Sequence, residues 1–179
     1  GNREATIAFS STSTQASFNI SDPTVPAGSA KAFTMPRLDV DESGITDRSI
    51  RVVSSEPVIA HQFNPLNNES VFSNDASLLL PMNTLGKEYY VVNWPTQVLP
   101  AFMGNDPDDQ QSYVTVVATR PGQTIVEVTS TADVTAGPGV TPISSGSTEG
   151  YALDIGEVLN LTANSGQLGP SGNDLTGTY

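Results

Sequence analysis

Residues Tyr113–Thr129 read YVTVVATRPGQTIVEVT, and the class of fold follows from how this stretch is parsed. Two runs rich in β-branched residues alternate apolar and polar side chains with period two, the pattern of half-buried strands. Val114 and Val116 in the first run, and Val126 and Val128 in the second, fall on a core face. Between the runs lies Arg120-Pro121-Gly122-Gln123. The ring of Pro121 sets φ at the second turn position and Gly122 supplies the positive φ of the third, a type II turn. Tyr113–Thr119 and Thr124–Thr129 are therefore expected to form the clearest hairpin of the chain.

Working outward, short β-branched runs recur. Thr6–Phe9, Ala16–Ile20, Ala30–Met35, Ser49–Val53 and Pro57–Phe63 are expected strands. Tyr151–Leu161 places Tyr151, Leu153, Ile155, Leu159 and Leu161 in one odd register, with Gly156 dividing it into two short strands. The chain holds 15 Gly and 13 Pro, too frequent for long helices. In Lys87–Trp94, KEYYVVNW, both faces are apolar. That predicts a strand covered on both sides, with core aromatics, ended by Pro95 and Pro100. Ala132–Gly150 is rich in Gly, Pro, Ser and Thr and reads as a long loop, and Thr162–Asp174 as a Gly/Asn/Ser-rich tail.

Gln62–Pro81, QFNPLNNESVFSNDASLLLP, is polar and Asn-rich between apolar ends. It reads as a connection pinned to the core by Phe72 and the leucine triplet, its turns made by Asn and Asp side chains bonding nearby amides. The fold class that follows is all-β, an antiparallel β-sandwich. Residues 1–179 are expected to form a single β-rich domain. A faint internal echo points to two similar packed halves, about 1–64 and 105–179, bridged by 65–104. The expected core takes Ile50, Val52, Val58, Phe72, Leu79, Val91 and Trp94 from the first part. From the rest it takes Val114, Val116, Val126, Val128, Leu153 and Leu159.

The chain has 179 residues, 37% of them hydrophobic, and no cysteine. A globule of this size buries roughly 70% of its unfolded surface and needs no disulfide or metal to fold. Seven basic residues stand against 19 acidic ones, a net charge of -12. Nucleic acid and anionic membrane surfaces are therefore poor partners, and no apolar run is long enough to insert in a membrane. Low lysine with abundant Ser, Thr, Asn and Gly matches exported β-proteins, and the opening GNREATIAFS is what a mature exported segment would show.

Catalytic chemistry finds little to work with. His61 is the only histidine, so a Ser–His–Asp triad would have to use it, and no G-x-S-x-G elbow accompanies it. Two acidic loops supply hard oxygens suited to calcium: Asp39, Asp41 and Glu42 in one, Asp106, Asp108 and Asp109 in the other. Neither matches a specific calcium loop, and solvated surface acids are the plainer reading. Lys31 and Lys87, the only lysines, sit in apolar strand-like runs where an isopeptide cross-link could form, against the plainer reading of an amphipathic stem. Asn19, Asn68 and Asn160 open N-glycosylation acceptor patterns. Trp94, Tyr89, Tyr90, Tyr113, Tyr151 and Phe102 would make a carbohydrate-stacking face if exposed; the two-sided pattern of KEYYVVNW assigns them to the core instead.

IRVVSSEPVIAHQFNPL, SNDASLLLP, YYVVNWP, YVTVVATRPGQTIVEV, LDIGEVLNL and DLTGTY together resemble the N-terminal domain of the IgG Fc-binding protein family, as found in bacterial surface and secreted proteins. The resemblance runs over most of residues 5–179. It implies an extracellular β-rich module with a binding or adhesive role toward a protein or glycan at a cell surface, and it carries no binding residues across. In that family DLTGTY leads into a further strand resembling Ile50–Val58, so the chain is expected to belong to a longer one. The expected function is thus non-catalytic binding. The alternatives are a structural subunit that self-associates through edge strands, and a carbohydrate-active enzyme using loop carboxylates.

Overall fold

The computed structural model describes residues 3–64, 75–98, 111–165, 169–170 and 173–179. The chain forms the strands β1 (Ala5–Ser10), β2 (Thr24–Val25), β3 (Gly44–Thr46), β4 (Arg51–Ser54), β5 (His61–Asn64) and β6 (Asp75–Leu78). A 3-10 turn, Met82–Thr84, precedes β7 (Gln97–Val98), β8 (Tyr113–Val117), β9 (Thr124–Thr129), β10 (Thr148–Leu153), β11 (Val158–Thr162) and β12 (Gly169–Pro170). The all-β expectation holds: the paired strands are antiparallel wherever a register is defined. The residues group into two compact units, one of Gly1–Ser10, Phe18–Met35 and Val52–Lys87, the other of Ser11–Ser17, Pro36–Arg51 and Glu88–Tyr179.

The second unit is built around β11, VLNLT, whose five residues are all buried. It pairs with β3 on one edge, Leu159 opposite Ile45, and with β8 on the other, Leu159 opposite Val116 and Leu161 opposite Val114. A second layer pairs β9 with β10, Tyr151 opposite Val126. Leu159, Leu161, Val114 and Val116 from one layer meet Val126, Val128, Tyr151 and Leu153 from the other in one core. Each fully buried leucine of this kind contributes about 1.5–3 kcal/mol.

The hairpin expected at 113–129 is not formed. Its two strands lie in different sheets, although Gly122 does adopt the expected positive φ, 81°. A buried strand must have both backbone edges paired, and β8 is what satisfies the second edge of β11. The turn at 120–123 therefore carries the chain from one layer to the other, and the alternating valines of β8 and β9 face each other across the core. The expected break at Gly156 is present: Gly156 has φ 85° in the turn between β10 and β11, and its carbonyl accepts a 2.6 Å bond from Ser49 Oγ.

Ala132–Gly150 is a long loop up to Thr148, where β10 begins, and it is packed. Val134, Val140 and Ile143 are buried in the core, and backbone bridges join Val134 to Ile143 and to Ala163. Gly137 passes so close to β3 that a Cβ there would lie 1.6 Å from the Ser43 carbonyl oxygen. Beneath this loop, the outer face of β11 is polar but satisfied. Asn160 Nδ2 donates to the Glu42 carbonyl at 3.0 Å and Asn160 Oδ1 accepts from Thr115 at 2.7 Å. Ser43 Oγ accepts from the Thr162 amide at 2.9 Å. Buried amide and hydroxyl groups persist only when paired in this way. The glycosylation pattern at Asn160 is therefore enclosed by the fold.

In the first unit β1 lies between β2 and β4, with Ala5 and Ile7 buried. Ala16–Ile20 and Ala30–Met35 are not strands. Their aromatic residues nevertheless converge, Phe9 lying 6.2 Å from Phe18 and 5.2 Å from Phe33 between ring centroids. Lys31 Nζ closes the 22–24 turn, bonding the Asp22 carboxylate at 2.5 Å and the Asp22 and Thr24 carbonyls at 2.8 and 3.0 Å. β5 and β6 pair with His61 opposite Leu78 and Phe63 opposite Ala76. This ribbon is amphipathic, and its apolar side is open, with Phe63 and Leu78 each 54% exposed.

The core expectation is thus corrected in part. Val58 and Leu79 are exposed because the β5–β6 ribbon they flank is two strands wide and meets no covering layer among the described residues; Val52, on the edge strand β4, is also exposed and Ile50 is only half-buried. Phe72 lies outside those residues. Val91, Val114, Val116 and Val126 pack against the core, and Val128, Leu153 and Leu159 are within it.

Two outcomes test this picture. Leu159→Ala should lower unfolding stability by about 2–5 kcal/mol, and Val58→Ala should change it by about 0.5 kcal/mol or less, both read by denaturant melts. The second concerns Asp22, whose carboxyl is held far below its usual 3.8 by the Lys31 ammonium and then by hydrogen bonds from Thr24. A depressed folded value means the pair adds stability above pH 3.8 and loses it as pH falls from there toward the folded value. The Asp22 carboxyl carbon should accordingly titrate by NMR well below the ordinary range in the native chain, and closer to the ordinary value in Lys31→Met, where only the Thr24 hydrogen bonds remain to lower it.

Candidate binding surface

Residues 88–96 are extended but belong to no strand. The chain's last residues hold them in place. The Val91 amide donates to the Thr178 carbonyl and the Gly177 amide to the Val91 carbonyl, both at 2.9 Å. The Asn93 amide donates to Thr176 Oγ1 at 3.0 Å, and that hydroxyl donates back to the Asn93 carbonyl at 3.1 Å. The Thr96 amide reaches the Asn173 carbonyl at 2.9 Å. This pairing fixes an alternation. Val91 and Asn93 turn inward, whereas Tyr90, Val92 and Trp94 turn outward, 76%, 90% and 84% exposed.

The tail is itself anchored on its other side. Leu175 is fully buried, its amide bonded to Ser112 Oγ at 3.1 Å. Thr129 and Tyr179 exchange backbone bonds of 2.7 and 3.2 Å. Gly177, at φ 89°, makes the turn that lets 173–179 touch both neighbours. The Tyr179 ring then lies 5.7 Å from that of Tyr90, centroid to centroid. Asn93 completes the arrangement: Oδ1 accepts from the Trp94 amide at 2.9 Å, and Nδ2 donates to the Tyr113 carbonyl. The result is an outward strip of Tyr90, Val92, Trp94 and Tyr179, with Tyr113 also exposed.

This reverses the assignment of Trp94 to the core. KEYYVVNW has two apolar faces, but Val91 and Asn93 of the odd-numbered one turn inward while the even-numbered one is exposed; Asn93, polar and turned inward, is the local sign that the segment lies at a margin. Among the described residues of the aromatic group considered from the sequence, Tyr151 alone is buried. Burial, and then the Glu149 charge, raises its hydroxyl pKa, so the phenol stays neutral. Phe102 lies outside the described residues. Tyr179 carried no sequence signal. The tail is bonded on both sides, to Val91 and Thr96 on one and to Thr129 on the other.

Among the described residues the other candidates are not brought together. Asp39 is paired with Arg37 at 2.5 Å, and its carbonyl accepts from Arg48. Asp41 and Glu42 are exposed, and Asp106, Asp108 and Asp109 lie outside the described residues. Among the described residues no three His, Cys, Asp or Glu groups converge as metal ligands would. His61 is exposed on β5. Lys31 is engaged by an ionised Asp22 that is itself exposed, an arrangement that favours the ion pair over an isopeptide, which needs a neutral amine and carboxyl. Among the described residues no helix is long and apolar enough to cross a membrane.

The profile of a family described as IgGFc binding protein matches residues 75–179. That span is well over half of the chain and holds every residue of the strip. The stretch at 49–64 that also resembles the family lies outside it. No curated protein and no solved structure matches the chain.

If the strip is free surface, Trp94→Ala should shift unfolding stability by about 0.5 kcal/mol or less. Trp94, the only tryptophan, should emit as a water-exposed indole fully quenched by the neutral quencher acrylamide. A blue-shifted, protected emission in the native chain would contradict the geometry.

Proposed function

The chain belongs to the IgGFc binding protein family, and from that premise we propose that it is a non-catalytic protein-binding module of a secreted or cell-surface protein, with the Tyr90–Trp94 strip as its contact surface. The observation that carries the reading is the pairing of full exposure with a fixed backbone. Trp94 is 84% exposed on a segment held by the tail from Asn173 to Thr178. Tryptophan and tyrosine dominate the energetics of protein interfaces, and a contact surface that is already ordered loses little freedom on binding. Surface location and an adhesive role fit the exported-looking composition and the family resemblance.

The test is surface plasmon resonance of the immobilised chain against immunoglobulin G Fc fragment, a panel of cell-surface proteins and a glycan array. Saturable binding is expected, weakened roughly 30-fold by Trp94→Ala if the residue is an interface anchor worth about 2 kcal/mol. Silence across all three sets, or binding indifferent to Trp94, would overturn the assignment.

A further inference from the structure

The segment of sequence that carries the strip is one-sided in charge. Residues 88–179 contain ten acidic side chains and a single basic one, Arg120. Three of the acids flank the strip by position. Glu88 precedes Tyr90 in the same even-numbered register and is exposed. Asp174 accepts the Thr176 amide at 2.8 Å, and Thr176 in turn holds Asn93. Glu127 is exposed on β9, two residues before Thr129, which exchanges backbone bonds with Tyr179. Lys87 is the one base beside them in sequence.

Aromatic faces and carboxylates favour the same ligand group. The π face of an indole or phenol attracts a cation within about 6 Å, tryptophan most strongly. Arginine suits such a surface best, because its planar guanidinium stacks on rings and pairs with carboxylates while shedding little hydration. Resting on the binding-module reading above, we propose that the strip takes an arginine-bearing segment of a partner protein. Guanidinium groups lie over Trp94 and over the Tyr90–Tyr179 pair, with Glu88, Asp174 and Glu127 balancing their charge. A second copy of this chain is the wrong occupant, because each copy carries a net charge of -12 and like-charged surfaces repel. Nucleic acids and anionic glycans are refused by the same field. A neutral sugar would stack on the rings but leave the acids without a role.

The experiment uses a fluorescein-labelled peptide of Arg-Gly-Leu repeats, the same peptide with citrulline in place of arginine, and neutral gluco- and chito-oligosaccharides. Fluorescence anisotropy follows the peptides and calorimetry the sugars. Expected are one-to-one binding of the arginine peptide, a loss of about tenfold or more with Trp94→Ala, and most affinity kept by Trp94→Tyr. Glu88→Gln should weaken binding, added salt should weaken it further, and citrulline should abolish it. Arginine-peptide binding untouched by Trp94→Ala would mean attraction to net charge alone and would overturn the proposal. So would citrulline binding equal to arginine. Trp94-dependent binding of an oligosaccharide, with no response to the arginine peptide, would also overturn it while leaving the strip a binding surface. A strip whose substitution changes no ligand at all would remove the binding-surface reading with it.

Discussion

β11 runs through the larger unit with all five residues out of water, and a chain so placed has no solvent to satisfy its amides and carbonyls. Both edges must be bonded by other strands, and both faces must be covered. β3 and β8 supply the edges. The β9–β10 layer covers Leu159 and Leu161 on one face. The 134–143 segment, with Ser43 and the Glu42 carbonyl, closes over Asn160 and Thr162 on the other. Much of the second unit can be read as the set of contacts this one strand requires.

The placement of the outward strip follows from the same requirement. β8 leaves its sequence neighbour β9 to pair with β11, so the two runs become opposite layers. Ser112, immediately before β8, is then where the Leu175 amide is bonded, and Thr129 at the end of β9 is where Tyr179 is bonded. The tail between these two points is thereby stretched beside residues 91–96. Aromatic residues that would otherwise sit on a loose connection are held at fixed spacing, which is what a contact surface needs. The first unit shows the contrasting case. Its β5–β6 ribbon has the alternation of a core strand pair but no layer against its apolar side among the described residues.

Period-two alternation made the all-β class and the C-terminal core legible in the sequence. Val114, Val116, Val126, Val128, Leu153 and Leu159 go where their register puts them, and Gly156 breaks the chain where a positive φ is needed. Pairing partners were not legible. The type II turn at 120–123 is equally compatible with a hairpin and with an arch between layers, and the choice rests on β11, thirty-five residues away. Irregularly spaced Val134, Val140 and Ile143 hid an ordered, buried loop inside a Gly- and Ser-rich composition. Trp94 lies outside the core because two apolar faces in a sequence do not require that both be covered. Of the candidate surface, the aromatic residues themselves were visible in the sequence, while Tyr179 and the tail that orders them were not.

The claim that β8 serves β11 rather than β9 is tested most directly by cross-strand NMR. Backbone nuclear Overhauser contacts are expected between 113–117 and 158–162, with Val116 opposite Leu159, and between 124–129 and 148–153. Contacts running instead between 113–117 and 124–129 would contradict the account, since β11 would then lose its second edge and the tail its anchor points.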